Sequence, residues 1–478
     1  MGNETSTTQE GEGNEGSTHP ALTTTGKLSN IRSYDKQYID GTWMYSTNNH
    51  NNEMNENTLE VIDANNGWVV ATVPKGTEGD TKKAIAAAKT AFPAWSALPK
   101  ETRMKYLFTF LTRFRAKKKE IINRLIVELG CTRTFAADVQ VAALINHTIT
   151  TLDLLSSSTS DGKQDGAGRK PAAFQFVYAA GENCTVIKEP VGVVGCITPW
   201  NYPLNQIALK VIPALLTGCT VVLKPSEVTP LVAYSIAEAF HEAHLPPGVF
   251  NMIMGEGQEC GEILARHPDV ALVSFTGSTR AGQILTQVAA DSGTMTPVKT
   301  ELGGKSAALL LEDANYEVVV PLFVIQLMAN TGQTCNALSR MIVPAKDHDK
   351  VVQLAATCMS KEIVGDSQLN QQATMGPLIS KKQYEHVMTL ITQGIVDDHA
   401  TLVYGGNEST PIGLAGQHCK GGYFVQPTLF SNVTNDMTIA QTEIFGPVLC
   451  ILKYHTVEEG IQITNETPYG LNNAVASR

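Results

Sequence analysis

Apolar residues along this chain alternate between short continuous runs and helically spaced stretches. Val191 to Ile197 is an apolar run suited to a buried strand, and Leu204 to Leu216 follows with helical spacing. Val221 to Leu223 reads as the next strand and about Pro230 to Ala243 as the next helix. Phe250 to Met254, a helix around Cys260 to Arg266, and Leu272 to Phe275 continue the alternation. Strands joined through helices over such short connections pair in parallel, so the pattern predicts an α/β sheet covered on both faces. Ligands on such sheets sit beyond the carboxyl ends of the strands. Chemistry is therefore expected in the loops after Ile197, Leu223, Met254 and Phe275.

Upstream the pattern is less regular. Residues 1 to about 35 are rich in Ser, Thr, Gly, Asn and Glu, which predicts a disordered tail. Ser46 to Asn57 and Ser156 to Arg169 read as polar surface loops. Between them Met104, Leu107, Leu111 and Phe114 fall on one face of a helix, and Gly130 offers a stop. The basic stretch Arg113 through Lys119 reads as a solvated helix face in preference to a localisation signal.

Composition narrows the class. The 478 residues suffice for two or three domains. With 43% hydrophobic and 17% charged residues the chain is an ordinary globular protein. A formal net charge of -10 argues against a nucleic-acid binder but not against a dinucleotide, whose phosphates backbone N–H groups can hold. Nine cysteines, none arranged as C-x-x-C, suit neither a disulfide framework nor a zinc ribbon and point to a reducing compartment. No apolar run approaches the roughly 20 residues that span a bilayer, and no signal peptide opens the chain, so the cytoplasm is the expected location. Met1-Gly2-Asn3-Glu4-Thr5-Ser6 fits a myristoylation pattern, but so short a pattern recurs often and a chance match is the favoured reading. A lone lipid on Gly2, beside Glu4, Glu10, Glu12 and Glu15, would give only weak membrane contact.

Several fragments carry candidate chemistry. Gly255-Glu256-Gly257-Gln258-Glu259-Cys260-Gly261 follows a predicted strand, but its spacing departs from the dinucleotide fingerprint. Approach to a phosphate and a plain strand-to-helix turn are equally good readings. Phe275-Thr276-Gly277-Ser278-Thr279 opens a helix, and its hydroxyls suit either a cap or a pyrophosphate. In Lys224-Pro225-Ser226-Glu227 the proline fixes a turn that leaves a cation and a carboxylate free to face one crevice. That carboxylate could accept from ribose hydroxyls and disfavour a 2′-phosphate, or form a surface ion pair.

Glu301-Leu302-Gly303-Gly304-Lys305 sets a carboxylate beside two permissive glycines. Asn330-Thr331-Gly332-Gln333-Thr334-Cys335 places a cysteine in a polar loop ahead of the strand Met341 to Val343. Structural cysteines usually lie within apolar runs, as Cys196 and Cys450 do, so Cys335 stands out as a reactive candidate. His241-Glu242-Ala243-His244 has the wrong spacing for a zinc helix and reads as a solvated helix end, so no metal is expected.

Together these fragments resemble the aldehyde dehydrogenase superfamily, in its hydrolytic, NAD(P)-dependent branch. Its markers appear in order as Pro199-Trp200-Asn201, Lys224-Pro225-Ser226-Glu227, Phe275-Thr276-Gly277-Ser278-Thr279, Glu301-Leu302-Gly303-Gly304-Lys305, the Cys335 loop and Glu443-Ile444-Phe445-Gly446-Pro447. The resemblance runs from about Tyr38 to Arg478. It implies a Rossmann-like cofactor domain over 36–300, with an oligomerisation arm around 155–190, and a second α/β catalytic domain over 301–478. It also implies a homodimer or homotetramer.

The family's roles transfer residue by residue. Cys335 would attack the aldehyde carbon as thiolate and give a thiohemiacetal. Asn201 and the backbone N–H of Cys335 would stabilise the oxyanion, a donor worth roughly 3–4 kcal/mol in comparable sites. Loss of hydride to the nicotinamide would leave a thioester, which water activated by Glu301 would hydrolyse. Glu301 also speaks against the CoA-acylating branch. Lys224 and Glu227 would contact the adenosine ribose, and Trp200 and Ser278 the pyrophosphate. Gly257 and Gly277 would line the same site, and Glu443 with Phe445 would meet the nicotinamide ribose. Glu227 favours NAD, with NADP as the alternative. Thr334 and Asn336 flank the nucleophile without naming the aldehyde. The resemblance further implies that family members continue beyond the position of Arg478, with a segment that completes the catalytic domain. A fragment of a longer protein, or a catalytically poor paralogue that only binds nucleotide or a partner, is thus a second expectation.

Overall fold

The computed structural model describes residues 32–47, 57–156, 174–177, 183–186, 188–406 and 421–478. Gly2, most of the expected tail and most of both polar loops lie outside them. A seven-stranded sheet has the spatial order Val298–Glu301, Val270–Thr276, Val193–Ile197, Thr220–Lys224, Phe250–Met252, Lys36–Ile39, Thr42–Tyr45. Its first five strands are parallel, and the last two join antiparallel. The alternating residues of each central strand explain why both faces are covered. In the strand starting at Val193, Val194 and Cys196 enter one core while Val193 and Ile197 enter the other. Successive strands step outward from Val193–Ile197 to Phe250–Met252, and the chain then returns to its other side at Val270–Thr276. That reversal is the switch point at which open α/β sheets bind ligands.

Between Glu301 and Ala307 the chain crosses to a second, six-stranded sheet. Its order is Thr401–Tyr404, Thr428–Val433, Val448–Tyr454, Arg340–Pro344, Ala307–Leu310, Asn473–Ala476, all parallel except the first pair. Here too alternation feeds two cores, Met341 and Val343 on one side and Ile342 on the other. Arg340, fully buried, donates to the carbonyls of Lys305, Ile463 and Thr464, each at 3.0 Å, and so pins the crossing segment to the second sheet.

Three local expectations need correction. Arg32–Ser33, inside the stretch expected to be a disordered tail, is a strand paired with Val69–Pro74, because its backbone groups complete the edge of a small sheet. The helix expected through Phe114 toward Gly130 is two helices, Lys100–Ala116 and Lys118–Glu128. The break falls at Lys117, whose N–H turns to the Phe114 carbonyl and whose ammonium reaches Glu238 and Glu242 on the helix Pro230–Glu242. The helix around Cys260 begins as a π-turn over Gly257–Gly261 before the α-turns of Glu262–Arg266. Within the region expected to form an arm, Phe174–Val177 and Asn183–Val186 pair antiparallel.

Candidate active site

A cleft of about 620 Å³ opens at the carboxyl ends of the strands flanking the switch point. Its walls include Trp200, Asn201, Lys224, Glu227, Gly257, Gly277, Ser278, Cys335, Glu443 and Phe445, which is every predicted site residue except Glu301.

At one end stands the turn that leads to Cys335. Asn330, Thr331 and Gly332 all take left-handed backbone angles, φ 52°, 58° and 73°. Two of them are not glycine, so the turn stores strain that must be offset by contacts. Asn330 donates to the Asn201 carbonyl at 3.0 Å, and the Thr331 hydroxyl donates to the Gly376 carbonyl at 3.0 Å. Gly332 is required on a second count, since a Cβ there would sit 2.1 Å from the Gly446 oxygen. Cys335 leaves this turn half-buried. Asn201, itself buried, donates its side-chain N–H to the Gln333 carbonyl at 3.0 Å. The amide has a second N–H that this contact does not use. One residue on, the Tyr202 hydroxyl meets the Thr334 hydroxyl at 3.0 Å. Consecutive residues of the strand-end loop thus hold consecutive residues just before Cys335.

The glycine pair of the crossing segment has an equally local reason. A Cβ on Gly303 would lie 2.1 Å from the Glu443 carboxylate, and one on Gly304 would lie 2.7 Å from the Cys335 carbonyl. The backbone passes between the two groups with no room for a side chain. Gly304 donates its N–H to Glu443 at 3.1 Å. Burial pushes the Cys335 thiol above its ordinary value and the nearby Glu443 charge pushes it further, against the N–H groups of Asn336 and Cys335. Burial also raises the Glu443 carboxyl, opposed by the Gly304 N–H and the Lys305 charge.

Glu301 sits across a wall. It ends the edge strand Val298–Glu301 and lines an adjoining cavity of about 440 Å³ with Thr279 and the segment Pro468 to Leu471. Leu302 and Gly303 line both spaces. The Glu301 charge is felt at Cys335 and at buried Lys210, with no hydrogen bond to either.

The far end of the cleft fits a dinucleotide. Lys224 reaches Glu227 at 2.9 Å. Burial works against the Glu227 charge, but Lys224 and Lys382 outweigh it and hold the carboxyl below its ordinary value. Of the first two glycines in the Gly255 to Gly261 stretch, Gly255 is needed for packing, since a Cβ would sit 2.4 Å from the Cys260 sulfur, while Gly257 faces open space. Ser278 caps the helix Thr279–Asp291 by accepting from Ala281 at 3.2 Å. It also lines the cleft, so the cap and the site are one place. The buried hydroxyls of Thr198 and Thr276, both on residues of the wall, have no hydrogen-bond partner among the described residues. Trp200 and Phe445 meet edge to face at 5.3 Å between ring centres.

One wall had no motif to announce it. Ile379, Ser380, Lys382, Gln383 and His386 line the cleft from the start of the helix Lys381–Val396. Ser380 caps that helix, and Gln383 donates to the Phe445 carbonyl at 2.9 Å. Only the Ser380 cap followed by a helical stretch was a readable signal, and it speaks to structure.

Two large α/β sheets and a cleft that runs along the switch point to a cysteine suit an oxidoreductase with a dinucleotide cofactor. The aldehyde dehydrogenase family profile matches residues 51–478, and the chain belongs to that family. It is 42% identical to a 3-succinoylsemialdehyde-pyridine dehydrogenase from a Pseudomonas species, over 94% of this chain and 87% of that one. A cysteine-to-alanine mutant of aldehyde dehydrogenase C from Pseudomonas syringae, complexed with NAD+ and octanal, is 38% identical. It superposes with a TM-score of 0.83 over 93% of this chain and 84% of its own. The Mycobacterium tuberculosis aldehyde dehydrogenase complexed with NAD+ gives 34% identity and a TM-score of 0.83 over 94% and 86%. Family membership makes the chain an aldehyde-oxidising dehydrogenase that uses a nicotinamide cofactor.

Proposed function

We propose that Cys335 is the nucleophile of the aldehyde oxidation and that the cleft takes NAD. The observation that carries this reading is the placement of a half-buried cysteine at the end of a cleft whose other walls hold Asn201, Glu443 and the Lys224–Glu227 pair. The Cys335 thiol loses its proton to solvent, the thiolate forms a C–S bond to the aldehyde carbon, and the carbonyl oxygen takes the electron pair of the broken C=O π bond. The second N–H of Asn201 and the backbone N–H of Cys335 serve that oxyanion. The bound nicotinamide supplies the hydride acceptor. Glu301 then takes the proton of the water that cleaves the thioester, after its side chain turns past the Leu302–Gly303 wall.

Lys224 and Glu227 would hold the adenosine ribose. Trp200, Gly257, Gly277 and Ser278 would flank the pyrophosphate, and Glu443 and Phe445 the nicotinamide ribose. Glu227, held ionised, disfavours a 2′-phosphate and so favours NAD over NADP. Residues 36–300 would form the cofactor domain and 301–478 the catalytic one, in a cytoplasmic homo-oligomer. No described helix is long and apolar enough to cross a membrane.

The test is NADH formation over a panel that includes an aryl-keto semialdehyde, of the kind the Pseudomonas relative is named for, and octanal. The wild-type chain is compared with Cys335→Ser. NADH from the first and none from the second is the expected result. Equal traces would overturn the nucleophile, and no NADH from folded wild type would favour the paralogue that only binds.

A further inference from the structure

Gln333 is fully buried, two residues before the nucleophile, and every polar atom it owns is engaged. Its side-chain N–H donates back across the left-handed turn to the Asn330 carbonyl at 2.9 Å, where its own backbone N–H also donates at 3.1 Å. Its carbonyl receives Asn201 at 3.0 Å and Asn330 at 3.2 Å. Its side-chain oxygen accepts the backbone N–H of Ile379 at 2.9 Å. Ile379 lines the cofactor cleft and immediately precedes Ser380, the cap of the helix that carries Gln383 to the Phe445 carbonyl. One amide therefore closes the strained turn on one side and grips the cofactor wall on the other.

We propose that the Gln333 side chain is a positioning residue that locks the Cys335 turn in register with the Ile379 wall of the cofactor cleft. The inference rests on Cys335 being the nucleophile and on the cleft taking the dinucleotide. The physical case is one of stoichiometry. The turn presents a carbonyl and the wall presents an N–H, and only a group that donates and accepts at once can join them. A buried amide without partners would be costly, so a fully engaged one fixes both neighbours. Methionine matches the shape and offers neither bond. Glutamic acid offers both when protonated, but as carboxylate it can only accept and would face the Asn330 oxygen. Burial raises a carboxyl in such a place, which brings its titration into the working pH range.

The experiment uses the full-length chain as wild type, Gln333→Met and Gln333→Glu, with kcat and KM measured from about pH 6 to pH 9. Labelling of the Cys335 peptide by iodoacetamide, read by mass spectrometry, is followed in parallel, and Tm is recorded at each pH. The expected result for Gln333→Met is a kcat lower by about tenfold to a hundredfold, flat with pH relative to wild type. Gln333→Glu should stay within about threefold of wild type at the acid end and fall toward the Met variant as pH rises. Labelling should mirror this, faster in the Met variant at every pH and faster in the Glu variant only at high pH, because a loosened turn exposes the thiol. A Met variant with wild-type kcat overturns the proposal. So do equal, pH-flat deficits in both variants, which would reduce Gln333 to ordinary packing. Should wild type make no NADH while the labelling pattern holds, the link stands and the enzymatic reading falls.

Discussion

Replacing Asn201 with alanine separates the chemistry of the oxyanion from the architecture that holds the nucleophile. Among the described residues the side-chain amide makes one hydrogen bond, to the Gln333 carbonyl at 3.0 Å, and that carbonyl keeps a second donor in Asn330 at 3.2 Å. No buried acceptor is orphaned by the change, so the stability loss should stay near about 1 kcal/mol, the net worth of one neutral hydrogen bond. The Asn201 backbone carbonyl continues to receive Gln140 and Asn330, so the loop itself remains tied. Catalysis should lose far more. Removing a preorganised donor from an oxyanion typically costs about 3–4 kcal/mol, or roughly a hundredfold to a thousandfold in kcat. The assay is steady-state NADH production at saturating cofactor, alongside thermal unfolding. A variant that unfolds a few degrees lower yet keeps kcat within about threefold would refute the assignment. Asn201 would then be a strut for the Cys335 loop and nothing more.

Other expectations concern charge. Glu443→Gln removes the carboxylate that pushes the Cys335 thiol up, so the pH profile of iodoacetamide labelling should move to lower pH and labelling at neutral pH should quicken. An unchanged or upward-shifted profile would place the Glu443 charge elsewhere. Glu227→Gln removes the charge expected to repel a 2′-phosphate and releases Lys224 from its 2.9 Å partner, so the kcat/KM ratio of NAD to NADP should fall by about tenfold. A ratio that stays constant would move the cofactor choice off this residue.

Much of the site was legible because its residues lie where parallel strands end. Asn201 and Ser278 follow strands whose apolar runs are plain, Lys224 ends another, and the sheet delivers all three to one cleft by topology. Cys335 was legible only as a cysteine in a polar loop, and its role came with the resemblance. The wall from Ile379 to His386 was not legible, because it is brought in by the second sheet's packing and carries no glycine turn or marker dipeptide. Glu301 shows a different limit. A linear order of motifs places it before Cys335, but only the path of the crossing segment reveals that Leu302 and Gly303 stand between them. The left-handed turn at Asn330 and Thr331 was hidden too, since non-glycine residues adopt such angles only when tertiary contacts hold them there. Lys117 broke an otherwise continuous helical pattern for a similar reason, through ion pairs to a helix distant in sequence.

The central claim is a covalent acyl-enzyme on Cys335 that awaits a water activated by Glu301. Glu301→Gln, incubated with NAD and an accepted aldehyde, isolates that step, because hydride can leave while hydrolysis stalls. The measurement is intact and peptide mass spectrometry after a single turnover. The predicted result is a burst of NADH matched by an acyl adduct on the Cys335 peptide, absent without NAD. NADH released without any adduct on Cys335, or with the adduct on another cysteine, would contradict the account.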